Sequence, residues 1–133
     1  MKTFNQIIKL KSLFLENWTN EIDVYNDFQV FGFQTYHYNG SKNPDKTPKN
    51  IKILFAYYTY EEYSGDAFVL YYDKTTKKLY EVHGSHCSCF GLEGQWSPEE
   101  CSLEGLQHRL EKGDCSYNGW STPLKQFLNI QIT

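Results

Sequence analysis

The sequence predicts an α+β fold: a small antiparallel sheet, built as a meander, packed by helices from the N-terminal and C-terminal ends of the chain. Three observations carry that reading. Near the start, apolar residues recur at close to a helical period, at Phe4, Ile7, Ile8, Leu10, Leu13, Phe14, Leu15 and Trp18. The middle of the chain switches to short runs rich in β-branched and aromatic residues, separated by polar turns. After Trp96 the helical period returns behind serine and proline start signals. With 133 residues, the chain reads as a single domain over 1–133, long enough to bury a core without disulfide or metal staples.

Each element follows from local signals. Over 3–18 the apolar stripe predicts an amphipathic helix with Thr3 as its N-cap, its apolar face covering a sheet. From 20 to 38, Ile22, Val24, Tyr25, Phe28, Val30, Phe31, Phe33, Tyr36 and Tyr38 favour one or two strands by propensity, with a slip at Gly32. Asn39 to Asn50, with Asn-Gly, Asn-Pro-Asp and Thr-Pro in quick succession, is a loop. Strands are expected at 51–58, 66–72 and 78–83, joined by turns short enough to make them antiparallel neighbours. Ser97-Pro98-Glu99-Glu100 has the form of a capped helix start, with Ser102 as a competing start for a helix over 102–112 that stops at Gly113. Ser121-Thr122-Pro123 repeats the device before a last helix over 122–129.

Composition narrows the function. The net charge is −3 and no basic cluster exceeds Lys77-Lys78, which argues against non-specific nucleic-acid binding. No apolar run approaches the roughly 20 residues of a membrane span. The start, Met-Lys-Thr-Phe-Asn-Gln-Ile-Ile-Lys, lacks the continuous apolar core of a signal peptide, so the expected compartment is the cytoplasm. Thiols stay reduced there, and the 4 cysteines point to core packing, a metal site or catalysis before disulfides. Aromatic residues make up 17% of the chain, led by 11 tyrosines, a composition suited to sheet faces and to contact surfaces alike.

The chemistry concentrates between Tyr80 and Trp96, in Tyr-Glu-Val-His-Gly-Ser-His-Cys-Ser-Cys-Phe-Gly-Leu-Glu-Gly-Gln-Trp. Four readings compete. For zinc the candidate ligands are His86, Cys87, Cys89 and Cys101, although Cys-x-Cys is not the paired Cys-x-x-Cys of zinc ribbons. For a cysteine nucleophile, His86 beside Cys87 is a weak pair, because neighbours on a strand point to opposite faces. For a small nucleotide, Gly84-Ser85 or Gly91-x-x-Gly94 could offer backbone N–H groups, without a dinucleotide fingerprint or a Walker lysine. The favoured reading is an architectural corner: glycines that let the chain turn, buried thiols, and Phe90 and Trp96 as anchors.

The stretch Tyr63-Ser64-Gly65-Asp66-Ala67-Phe68-Val69-Leu70, then Lys78-Leu79-Tyr80-Glu81-Val82, then Gly84-Ser85-His86-Cys87-Ser88-Cys89-Phe90-Gly91-Leu92-Glu93-Gly94-Gln95-Trp96-Ser97-Pro98-Glu99-Glu100, resembles a family of small phage and prophage proteins. Leu106-Gln107-His108-Arg109-Leu110 fits the same family, so the likeness spans residues 53–113. The resemblance implies a phage setting and carries no particular mechanism. With no convincing catalytic constellation, the expectation is a non-catalytic, cofactor-free accessory protein that binds a host bacterial factor, such as an anti-defence inhibitor. The expected binding residues are His83, Ser85, His86, Cys87, Cys89, Glu93, Trp96, Tyr60, Glu61 and Tyr63. The alternatives are a zinc- or cysteine-dependent site over 83–89 and a protein that sequesters a small nucleotide.

Overall fold

The computed structural model describes residues 2–29, 48–60, 64–87, 91–112 and 119–129. Among these residues five strands form one sheet in the order of the chain: β1 (Leu13–Glu16), β2 (Ile51–Tyr58), β3 (Ser64–Asp73), β4 (Lys78–Cys87) and β5 (Glu99–Cys101). The pairings β2–β3, β3–β4 and β4–β5 are antiparallel, and β1 joins the outer edge of β2 in parallel. Among the described residues four helices complete the α+β fold: α1 (Phe4–Ile7), α2 (Glu21–Phe28), α3 (Leu103–Lys112) and α4 (Ser121–Leu128). None of these is long and apolar enough to cross a membrane.

The sheet is buried on both faces. On one side Phe55, Tyr57, Phe68, Leu70 and Leu79 pack against α1, α3 and α4. On the other, Ala56, Tyr58, Val69, Tyr71 and Val82 pack against α2, Trp18 and Leu92. Alternation along β3 feeds both cores from one strand, which is why 67–71 is apolar at every position. A bulge in β2, where Ile53 pairs with Tyr71 but Phe55 with Leu70, inserts one residue. It turns both Leu54 and Phe55 towards the helices α3 and α4.

The expected helix over 3–18 is corrected to one turn followed by a strand. Thr3 does cap, in a reciprocal box: its side chain accepts from the Gln6 N–H (3.3 Å) and the Gln6 side chain accepts from the Thr3 N–H (2.9 Å). The run Leu13-Phe14-Leu15 then pairs with Phe55, Ala56 and Tyr57. Leu15 joins one core while Phe14 and Trp18 join the other. A helix has one apolar stripe and could not serve both cores; an extended strand can.

Residues 21–28 are helical, which corrects the strand expected from 20 onwards; 30–38 lie outside the described residues, as does most of the 39–50 loop. The Asn20 side chain accepts from the Asp23 N–H (3.0 Å), and Glu21 and Asp23 sit where the helix dipole favours negative charge. Val24, Tyr25 and Phe28 form its buried face. These caps outweigh the β propensity of Ile22, Val24 and Tyr25.

The three central strands and two C-terminal helices stand where expected, β3 and β4 running longer at their shared end. The helix start at Ser97-Pro98 does not form, and Glu99–Cys101 pairs with Leu79–Glu81 as β5 instead. The competing start prevails, with the Ser102 hydroxyl accepting from the Gly105 N–H (3.0 Å). Gly113 lies outside the described residues.

Phe68 is fully buried in the core on the α3 and α4 side, where its ring stacks on Trp120 (4.1 Å) and meets Phe55 edge-on. Phe68→Ala should cost about 3–5 kcal/mol in urea unfolding. A loss below about 1 kcal/mol would mean that the core collapses around the cavity, against the packing described.

Candidate functional site

Strand β4 divides the chemistry-bearing segment between two faces. Glu81 and His83 point towards α3 and α4, His83 against Phe68 (5.1 Å) and Trp120 (5.6 Å). Val82 and His86 point the other way, and the His86 ring lies flat on Tyr60 (4.3 Å, 10°) and edge-on to Tyr58. Ser85 and Cys87 are exposed, and by alternation they follow His83.

After the interval at 88–90 the chain turns back along the edge of β4. There Gln95 acts as a one-residue strand. Its amide oxygen accepts from the Ser85 N–H (2.8 Å), and its nitrogen donates to the carbonyls of Ser85 (2.7 Å) and Gly91 (2.8 Å). Ser85 lies beyond Glu81, the last β4 residue that β5 pairs, so the side chain supplies the ladder bonds that β5 does not. Gly94 takes a φ of +80°, where other residues are strained. Trp96 closes the corner, stacked on Tyr71 (5.7 Å, 10°) and edge-on to Phe28 (5.2 Å). Across the sheet, Gly65 pairs with His86, and a Cβ on Gly65 would collide with both the Thr59 carbonyl and His86 Nε2. The motif is thus an architectural corner first, but the buried thiol expected at Cys87 is corrected, since Cys87 is exposed, and Cys89 and Phe90 lie outside the described residues.

Two further groups, Glu81 and Arg109, lay outside the expected site. The Glu81 side chain is 5% exposed. Both guanidinium nitrogens of Arg109, reaching across from α3, bind its two oxygens, and His83 Nε2 lies 2.7 Å from Oε1. Burial by itself would raise the Glu81 pKa, but the hydrogen bonds from His83 and Arg109 and the Arg109 charge reverse this and hold it at about 2. The neighbouring Cys101 thiol is pushed up to about 12, by burial first and then by the Glu81 charge, so it is a poor nucleophile. A charged residue at an inward position of an apolar strand was the available signal, since it requires a partner.

On the α2 side, a recess of about 350 Å³ opens beside Tyr60, lined by Asn17, Asp27, Gln29, Tyr58 and Glu93. Asp27 accepts from the Trp18 indole N–H (2.8 Å). Burial raises its pKa, the Trp18 bond opposes this, and Asp23 and Glu93 add to the rise. Tyr60 is 59% exposed, and beneath it the buried His86 Nε2 has no hydrogen-bond partner among the described residues.

The expected chemistries fare unequally. His86 and Cys87 are on opposite faces, which separates the candidate nucleophile from its base. Cys101 pairs with Leu79 at the far end of β4, on the order of 25 Å from Cys87. Among the described residues no group of three or more His, Cys, Asp or Glu side chains is arranged to hold a metal ion. The Ser85 and Gly91 N–H groups expected to cradle an anion already donate to Gln95 and Glu93, and the Glu93 carboxylate would repel one. Trp96 is an anchor of the core. Glu61, Tyr63 and Cys89 lie outside the described residues. Comparison of the chain with family models, curated proteins and solved structures yields no match.

Two outcomes follow from this geometry. Glu81 has a depressed pKa, so its contribution to stability is complete above about pH 4.5 and is lost as pH falls towards 2. Glu81→Gln should cost on the order of 3 kcal/mol at pH 7 and remove that part of the acid-side loss of stability. Urea unfolding of both proteins from pH 7 to pH 2 measures this; parallel curves would contradict it. Gly65→Ala should lower stability by about 2–3 kcal/mol, read as a shifted urea midpoint at unchanged slope.

Proposed function

We propose that this chain is a non-catalytic binding protein that docks a protein partner at Tyr60. In the phage setting that its sequence resemblance implies, it acts in the host cytoplasm as an accessory factor against a bacterial protein, as an anti-defence inhibitor does. The observation that carries this reading is the exposed Tyr60 ring, held flat on His86 at the mouth of a recess containing Asp27 and Glu93. An aromatic ring beside the partly buried Asp27 and the exposed Glu93 suits an arginine or lysine side chain, which would stack on the ring and pair with the acids. The separation of His86 from Cys87, and the occupied N–H groups at Ser85 and Gly91, weigh against the cysteine enzyme, zinc and nucleotide alternatives.

The test uses full-length protein immobilised in a bacterial lysate. A captured protein should bind wild type and lose about 30-fold in affinity to Tyr60→Ala, the scale of a hot spot of about 2 kcal/mol. Glu93→Gln should weaken capture as well, and neither change should shift the melting temperature by more than about 2 °C. Equal capture by wild type and Tyr60→Ala, or one metal ion per purified chain, would remove the proposal.

A further inference from the structure

We infer that the recess on the opposite face of β4, around His83, is a binding site for a small cationic nitrogen ligand bearing a guanidinium or alkylammonium group. It has a volume of about 310 Å³ and is lined by Asp66, His83, Ser85, Gln95 and Trp120. That is the lower end of the range for small-molecule sites.

The polar groups there are convergent and unspent. Asp66 and Ser85 lie directly opposite each other in the β3–β4 register, and His83 is two residues from Ser85 on the same face. Glu81, bound at both oxygens by Arg109, is ionised and can only accept, so His83 Nε2 must donate to it. When the ring is neutral its proton is therefore on Nε2, and Nδ1 is a bare acceptor. Among the described residues, Nδ1, the Asp66 carboxylate and the Ser85 hydroxyl have no hydrogen-bond partner. Phe68 and Trp120 brace the imidazole from the core side.

The inventory selects the ligand. Two of the three groups only accept, and one is a carboxylate, so the occupant must donate N–H bonds and is favoured by positive charge. A guanidinium meets this best, two N–H groups on Asp66 and a third towards Nδ1. An anion is disfavoured, because Asp66 faces it and the Ser85 N–H is already given to Gln95.

The experiment is titration of ¹⁵N-labelled full-length protein with agmatine and with butylamine, following the His83 ring nitrogens and the Trp120 indole. Free protein with a neutral His83 ring should show a protonated Nε2 and an unprotonated Nδ1. Agmatine should move Nδ1 and the indole saturably, and Asp66→Asn should weaken it by about tenfold or more. Ser85→Ala, which leaves the backbone bonds to Gln95 in place, should weaken it less. Tyr60→Ala should leave agmatine binding unchanged, since that ring is on the other face; its failure to bind a partner and a failure here are therefore separate results. The inference is overturned if agmatine gives no saturable shift at His83, if AMP moves the same resonances as strongly, if Asp66→Asn binds as wild type does, or if Tyr60→Ala abolishes the effect.

Discussion

A sheet covered on both faces must supply two cores from each strand, and most of this molecule answers to that demand. β3 contributes Phe68 and Leu70 to one core and Val69 and Tyr71 to the other. β2 meets the same demand with a bulge, which places Leu54 and Phe55 side by side towards α3 and α4. The short β1 continues the pattern at the edge with Leu15 and Phe14. The middle of β2 and β3 keeps no polar face to turn to solvent, and the exposed polar side chains of β4 and β5 lie towards the ends and the edge of the sheet.

Glu81 and Gln95 are the two answers to that polar problem. Glu81 occupies an inward position and would be costly alone; Arg109 and His83 satisfy it, and the arrangement ties α3 to β4. Gln95 solves the other half, the backbone of β4 where β5 has ended. An amide side chain offers one acceptor and two donors, and here one bond enters Oε1 and two leave Nε2. A leucine of similar size would leave the Ser85 N–H and carbonyl without these ladder bonds. The density of glycines and polar residues in this segment therefore reflects first the need to turn the chain and complete a ladder.

What was legible in the sequence follows the range of the forces involved. The meander from Ile51 to Cys87 depends on neighbours joined by short turns, such as Asp73 accepting from the Thr75 and Thr76 N–H groups, and alternation reveals it directly. The two C-terminal helices carry local start signals, although Ser97-Pro98 resembled one as closely as Ser102 did. Only the unpaired edge of β4 decides between them, and that edge is a tertiary fact. Leu13–Glu16 was illegible for the same reason, since its partner lies some forty residues on. Residues 21–28 carry legible helix signals in Asn20 and Asp23, which compete with the β-branched and aromatic content of Ile22, Val24 and Tyr25. Within the Tyr80–Trp96 stretch, the sorting of His83 from His86 needed the pleat, and the Glu81–Arg109 pair needed α3 laid across the sheet.

The same pleat explains how one segment can serve two surfaces. Because His83 and His86 are three residues apart on an extended strand, they face opposite layers, and their partners differ accordingly. His83 donates from Nε2 to an ionised carboxylate and is backed by Phe68 and Trp120. His86 has its ring fixed by Tyr58 and Tyr60 and its Nε2 above Gly65. A substitution on one face therefore reaches the other only through the backbone of β4, and that backbone is pinned on one side by β3 and on the other by β5 and Gln95. Rigid pairing on both flanks is what lets the two recesses be altered independently, since neither can relax without breaking ladder bonds that the other also depends on.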